Sequence, residues 1–119
     1  MAVFSLGYVR VAARDVEAWR KFGVDAVGMM AGQAPAGSGA LWLRTDDRPF
    51  RFAIEPGETD RFLAAGWELP SEAAFAACVA GLKAAGVALR HGSAAEAQAR
   101  CVNDLVMGQD PDGNAFELY

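Results

Sequence analysis

The 119-residue sequence predicts an α+β fold made of two tandem βαβββ modules, and three observations carry that expectation. Short segments that alternate apolar and polar residues outnumber those with a helical period. The order strand, helix, several strands occurs twice. Superposing the two helix starts, Asp15 on Ser71, also brings Trp19 onto Phe75 at a constant offset of 56 residues. Residues 1–119 then form a single domain, with module one at about 1–60 and module two at about 61–119.

The first element follows from "LGYVRVAARD", where Tyr8, Val9, Arg10 and Val11 alternate as a half-buried strand requires. Asp15 is placed to cap a helix, whose apolar stripe is Val16, Trp19 and Phe22 and whose end lies near Gly28. Residues 31–40, "AGQAPAGSGA", read as a loop, because small, Gly and Pro residues offer no packing face. "ALWLRTD" and "RPFRFAIEPG" alternate as strands, the second stopped by Pro56 and Gly57. "FLAAGWEL" opens module two as a strand. Pro70 and Ser71 then start a helix with Phe75, Cys78, Val79, Leu82 and Ala85 on one face, ended by Gly86. "VALRHG" and "ARCVNDLVMGQ" are strand candidates, while the Ala-rich "SAAEAQA" between them has no decisive period. "DPDG" forms a turn and "NAFELY" the last strand.

Composition sets the outer limits on function. A 53% hydrophobic content supplies one core, and a net charge of −4 with dispersed Lys and Arg offers no footprint for phosphate backbones, so nucleic acid is not an expected partner. Arg10 interrupts the apolar start, no cleavage pattern marks a signal peptide, and no apolar run is long enough to cross a membrane. A cytoplasmic location and no membrane partner are expected. Cys78 and Cys101 lack the spacing of a metal or redox motif and read as reduced thiols, with Cys78 on the buried helix face.

The phrases "SLGYVRVAARDVEAWRKF", "FRFAIEPGE" running into "AAGWEL", "GLKAAGVAL" and "DPDGNAFELY" resemble the glyoxalase, bleomycin-resistance and extradiol-dioxygenase superfamily, with its vicinal oxygen chelate fold. More narrowly they look like the N-terminal domain of type I extradiol dioxygenases of the 2,3-dihydroxybiphenyl 1,2-dioxygenase kind. The resemblance implies metal ligands on the first strand of each module, often His, and on the last strand, usually Glu. Those positions fall on Tyr8 and Ala64 in the first strands, and on Ile54 and Glu117 in the closing strands. One carboxylate, one phenol and two alkyl groups do not make an Fe(II) site, which takes roughly two His and one carboxylate. His91, the one histidine, sits beside Arg90 and Gly92 and reads as a surface residue. Glu117 is therefore expected to be a structural carboxylate or the relic of a ligand. If it were buried without a cation, desolvation would raise its pKa.

The resemblance further implies that Fe(II) and catechol belong to a second, C-terminal domain, so no cofactor is expected in this chain and no catalytic residue is assigned to it. The leading expectation is a non-catalytic N-terminal domain of a ring-cleaving dioxygenase, or a stand-alone relative, since Tyr119 falls where the first domain would pass to a linker. Its partners would be a missing catalytic domain or a second copy of the chain, brought together by apolar surface. A binding module of the bleomycin-resistance type is the alternative: Tyr8, Trp42, Trp67 and Glu117 would line a pocket for a small aromatic ligand, although strand tryptophans ordinarily pack against neighbours. A metal-dependent glyoxalase-like enzyme would need the absent ligands. Asp46, Asp47, Asp110 and Asp112 lie in turns, where Asp ordinarily satisfies backbone N–H groups.

Overall fold

The computed structural model describes residues 3–119; Met1 and Ala2, the start of the segment expected as the first strand, lie outside them. The chain is of mixed α+β type and divides into two compact units. One is Tyr8–Leu63, and the other is Ala64–Tyr119 together with residues 3–7.

In the unit Tyr8–Leu63, β1 (Ser5–Ala13) enters and is followed by α1 (Val16–Arg20), β2 (Met30–Ala31), β3 (Leu41–Arg44) and β4 (Phe52–Pro56). The strands lie in the order β2-β3-β4-β1. β1 and β4 are parallel, while β2, β3 and β4 are antiparallel to their neighbours. α1 starts at Asp15, whose carboxylate accepts the Ala18 N–H at 2.9 Å. It then widens into a π-helical segment, Lys21–Val27, that ends on Gly28 at φ 86°, a left-handed conformation suited to glycine.

That widening changes the buried face. A π turn holds more residues than an α turn, so the stripe begun by Val16 and Trp19 reaches Gly23 and Val24 and leaves Phe22 54% exposed, edge-on to Trp19. Phe22 is thus not part of the core stripe that a spacing of three suggests. The core here is Ala13, Leu41, Leu43 and Ile54 under Val16, Trp19, Val24 and Met29. Burying Leu41, Leu43 and Ile54 contributes roughly 1.5–3 kcal/mol each.

In the other unit, β5 (Arg61–Glu68) leads to α2 (Glu72–Ala84), β6 (Arg90–His91), α3 (Ala94–Ala99), β7 (Val106–Gln109) and β8 (Ala115–Leu118). The order is β6-β7-β8-β5, with β5 and β8 parallel and the rest antiparallel. Ser71 caps α2 by accepting the Ala74 N–H at 3.1 Å. Cys78, Leu69 and Leu118 form the core under Phe75 and Leu82 of this helix, so Cys78 is a packed thiol as expected. The strand expected in "ARCVNDLVMGQ" is confined to its last residues, because α3 and a turn take up Ala99–Leu105. "DPDG" turns as expected, with Gly113 at φ 86°.

Candidate functional site

Register decides which side chains share a face, since successive residues of a strand point to opposite sides. In the unit Tyr8–Leu63, Arg10 pairs with Ala53 and Trp42 with Ala53, so Tyr8, Arg10, Trp42 and Ala53 lie on one face. Val11 and Leu41 both pair with Ile54 on the other face, beneath α1. Ile54 is therefore a core residue on the helix side, not a side chain facing with Tyr8. In the second unit the equivalent cross-strand pair is Gly66 with Glu117, which answers to Arg10 with Ala53. Ala53 is the counterpart of Glu117, one residue away from the Ile54 expected from turn alignment.

Tyr8 is buried against Phe50, with ring centroids 5.0 Å apart, and Phe50 stacks on Trp42 at 4.3 Å. Trp42, 6% exposed, is consumed by that packing. Beside it, Arg10 makes a two-pronged pair with Glu55, Nε to Oε2 at 2.9 Å and Nη2 to Oε1 at 3.2 Å.

Glu117 lies in the other unit, 2% exposed, on the face shared by Ala64 and Gly66. Trp67 pairs with Leu118 and so lies on the opposite face, at 36% exposure, which separates it from Glu117 as a pocket wall. Met107 and Arg90, paired through β7, share the Glu117 face. Over that face runs α3, the segment whose sequence shows no decisive period. Two ion pairs bring it there. Glu96 meets Arg90 with both oxygens at 2.9 Å, and Arg100, at the C-terminal end of α3, meets Glu117. Arg100 Nε–H donates to Oε2 and Nη2–H to Oε1, both at 2.7 Å, while Nη1–H donates to the Glu96 carbonyl at 3.1 Å. The Arg100 side chain is 11% exposed. The condition for an upward-shifted carboxyl, burial without a cation, is not met.

Arg100 is the residue that sequence reasoning missed. A signal for α3 existed in "SAAE": Ser93 Oγ accepts the Glu96 N–H at 3.1 Å and Glu96 Oε1 accepts the Ser93 N–H at 3.1 Å, a reciprocal capping box. The Arg90 guanidinium and the Ser93 N–H together hold the Glu96 carboxyl well down, at about 2. His91 is exposed, with Nε2 2.6 Å from Asp104 Oδ1. Asp46 and Asp110 are turn carboxylates, as their positions suggest. Asp46 is lowered in pKa chiefly by its hydrogen bond from Arg51, and Asp110 chiefly by that from the Asn114 side chain. Among the described residues, no group of three or more His, Cys, Asp or Glu is placed to hold a metal ion. Nor is any helix among them long and apolar enough to cross a membrane.

The chain is similar to known proteins over its entire length. Residues 6–57 match the family model described as dihydroxybiphenyl dioxygenase BphC D1. An iron-dependent extradiol dioxygenase of Rhodococcus jostii (strain RHA1) is 41% identical over 119 residues, which are 100% of this chain and 39% of that protein. A biphenyl-2,3-diol 1,2-dioxygenase of Pseudomonas sp. (strain KKS102) is also 41% identical, the match covering 100% of this chain and 40% of that protein. A crystal structure of catechol 2,3-dioxygenase superposes with a TM-score of 0.93 at 28% identity, covering 100% of this chain and 42% of the other. The chain thus spans about two fifths of the length of the relatives it matches.

Proposed function

We propose that the chain is an N-terminal domain of the extradiol dioxygenase family and serves as the non-catalytic companion of an Fe(II) domain that opens catechols such as 2,3-dihydroxybiphenyl, a reading supported by the family-model match and the relatives. The observation that carries this reading is the state of Glu117: both oxygens are gripped by Arg100, and Ala64 on the same face supplies no donor. An iron site needs neutral nitrogen donors around open positions. His91, the chain's one histidine, is on the surface against Asp104, so the residues present do not fit iron, and the metal is assigned to a separate catalytic domain. The two βαβββ modules of the vicinal oxygen chelate fold are supported by the matching strand orders β2-β3-β4-β1 and β6-β7-β8-β5, each closed by a parallel pair.

The partner of the domain is a C-terminal catalytic domain or, without it, a second copy. Apolar side chains left open at Phe4, Leu6, Val27 and Met30 support association, and sedimentation at rising concentration checks it; a monomer throughout would count against it. A cytoplasmic location fits the absence of any spanning helix among the described residues. A ligand-sequestering module of the bleomycin-resistance type is not favoured, since Trp42 is stacked on Phe50 and Trp67 lies on the face away from Glu117. The test is direct: the purified chain, supplied with Fe(II), oxygen and 2,3-dihydroxybiphenyl, is expected to give no ring-opened product by absorbance. Turnover with one bound iron per chain would end this reading.

A further inference from the structure

We propose that Arg100 is a built-in cation: a guanidinium that neutralises the closing-strand carboxylate of Glu117 from within the chain and shuts that carboxylate to metal ions. The geometry carries it. A bidentate guanidinium with two contacts of 2.7 Å engages both carboxylate oxygens, so a metal ion would have to compete with Arg100 for them. Displacement is opposed from the other side of the guanidinium, where Nη1 is tied to the Glu96 carbonyl at the end of α3. α3 is itself fastened over the same face by the Arg90 to Glu96 pair. Directly across from Glu117 stands Gly66, which adds no side chain to that face.

The other unit supplies an independent comparison. Its counterpart of Gly66 is Arg10 and its counterpart of Glu117 is Ala53, so there the guanidinium comes from the strand itself and finds its carboxylate at Glu55. In each unit, then, a guanidinium of the chain itself is paired with a carboxylate on the corresponding face. Fixing a cation by the chain suits a buried carboxylate that has no nitrogen donors beside it, because a guanidinium satisfies it with two hydrogen bonds while a metal ion requires further ligands.

This inference rests on the reading that the chain holds no iron, and its tests separate the two. Thermal unfolding is compared for the wild-type chain, Arg100→Met, Glu117→Gln and the double variant Arg100→Met/Glu117→Leu. The wild-type chain is also titrated with Mn(II) by calorimetry. Arg100→Met is expected to lower Tm by about 10 °C or more, since it strands a buried charge, and the apolar double variant to recover most of the loss. Mn(II) is expected to give no stoichiometric heat with the wild-type chain. An unchanged Tm for Arg100→Met, or a double variant no better than the single one, overturns the proposal and leaves the non-catalytic reading standing. So does stoichiometric Mn(II) binding to the wild-type chain that Glu117→Gln abolishes, a result that needs no destabilised variant to fold. Ring cleavage by the chain alone would instead strike the functional reading.

Discussion

Substituting Ala for Gly in a helix ordinarily stabilises it, yet the two helical glycines Gly23 and Gly81 are expected to respond with opposite signs. Ala gains up to about 1 kcal/mol over Gly in a helix interior. At Gly81 in α2 nothing lies within 4 Å of an added Cβ, so the full gain is available. At Gly23 the same Cβ would stand 2.6 Å from Leu43 Cδ1, 3.1 Å from Cδ2 and 3.4 Å from Cγ. Leu43 has no solvent exposure and is packed among Ala13, Leu41 and Ile54, so it cannot swing aside without losing those contacts. Overpacking of a tight core costs about 1–3 kcal/mol, which outweighs the propensity gain. For a chain of this length about 1 kcal/mol corresponds to about 4 °C in Tm. Circular dichroism melts should therefore show Gly81→Ala raised by about 2–4 °C and Gly23→Ala lowered, by up to about 8 °C once the propensity gain is set against the overpacking. Shortening the obstacle with Leu43→Val should shrink the cost of Gly23→Ala, a coupling visible in the four-member cycle. A rise in Tm for Gly23→Ala, or equal shifts at both glycines, would refute the packing argument.

Three further outcomes are expected. Ser71→Ala removes the cap on α2 and should lower stability by about 0.5–2 kcal/mol, read from denaturant midpoints, with Ser71→Asp retaining most of it. The Glu96 carboxyl, lowered chiefly by Arg90 and then by the Ser93 N–H, should titrate near 2 by carboxyl-detected NMR. Because its folded pKa is depressed, its contribution is complete above the unfolded value near 4.5 and fades as the pH falls towards 2; Arg90→Met should move the midpoint back up. Acrylamide should quench Trp67 far more readily than Trp42, so Trp67→Phe should lower the accessible fraction of the fluorescence, leaving that of the partly buried Trp19, whereas Trp42→Phe should not; an unchanged quenching profile for Trp67→Phe would contradict the assigned exposures.

What sequence patterns reveal and what they conceal follows from the range of the forces involved. β1, β5, α1 and α2 were legible because alternation, helical period and caps are local: Asp15 and Ser71 bond to N–H groups three residues on, and Phe75, Cys78 and Leu82 fall on one face by spacing alone. Phe22 misled because the helix widens into a π turn over Lys21–Val27, where the buried contact is made by Gly23 against Leu43, twenty residues away in sequence. Ile54 misled by one residue, and one residue inverts a strand's faces.

The sequence alone therefore determined the mixed α+β class, the principal elements and the surface character of His91. Its resemblance to the extradiol dioxygenases was equally readable without coordinates. Only the tertiary structure decided which residues meet. It set Ala53 rather than Ile54 as the counterpart of Glu117, turned Trp67 away from that carboxylate, and brought Arg100 across seventeen residues to hold it. The physical reason is that strand pairing and helix docking are settled by burial over the whole unit, and a buried carboxylate takes whichever cation that packing delivers.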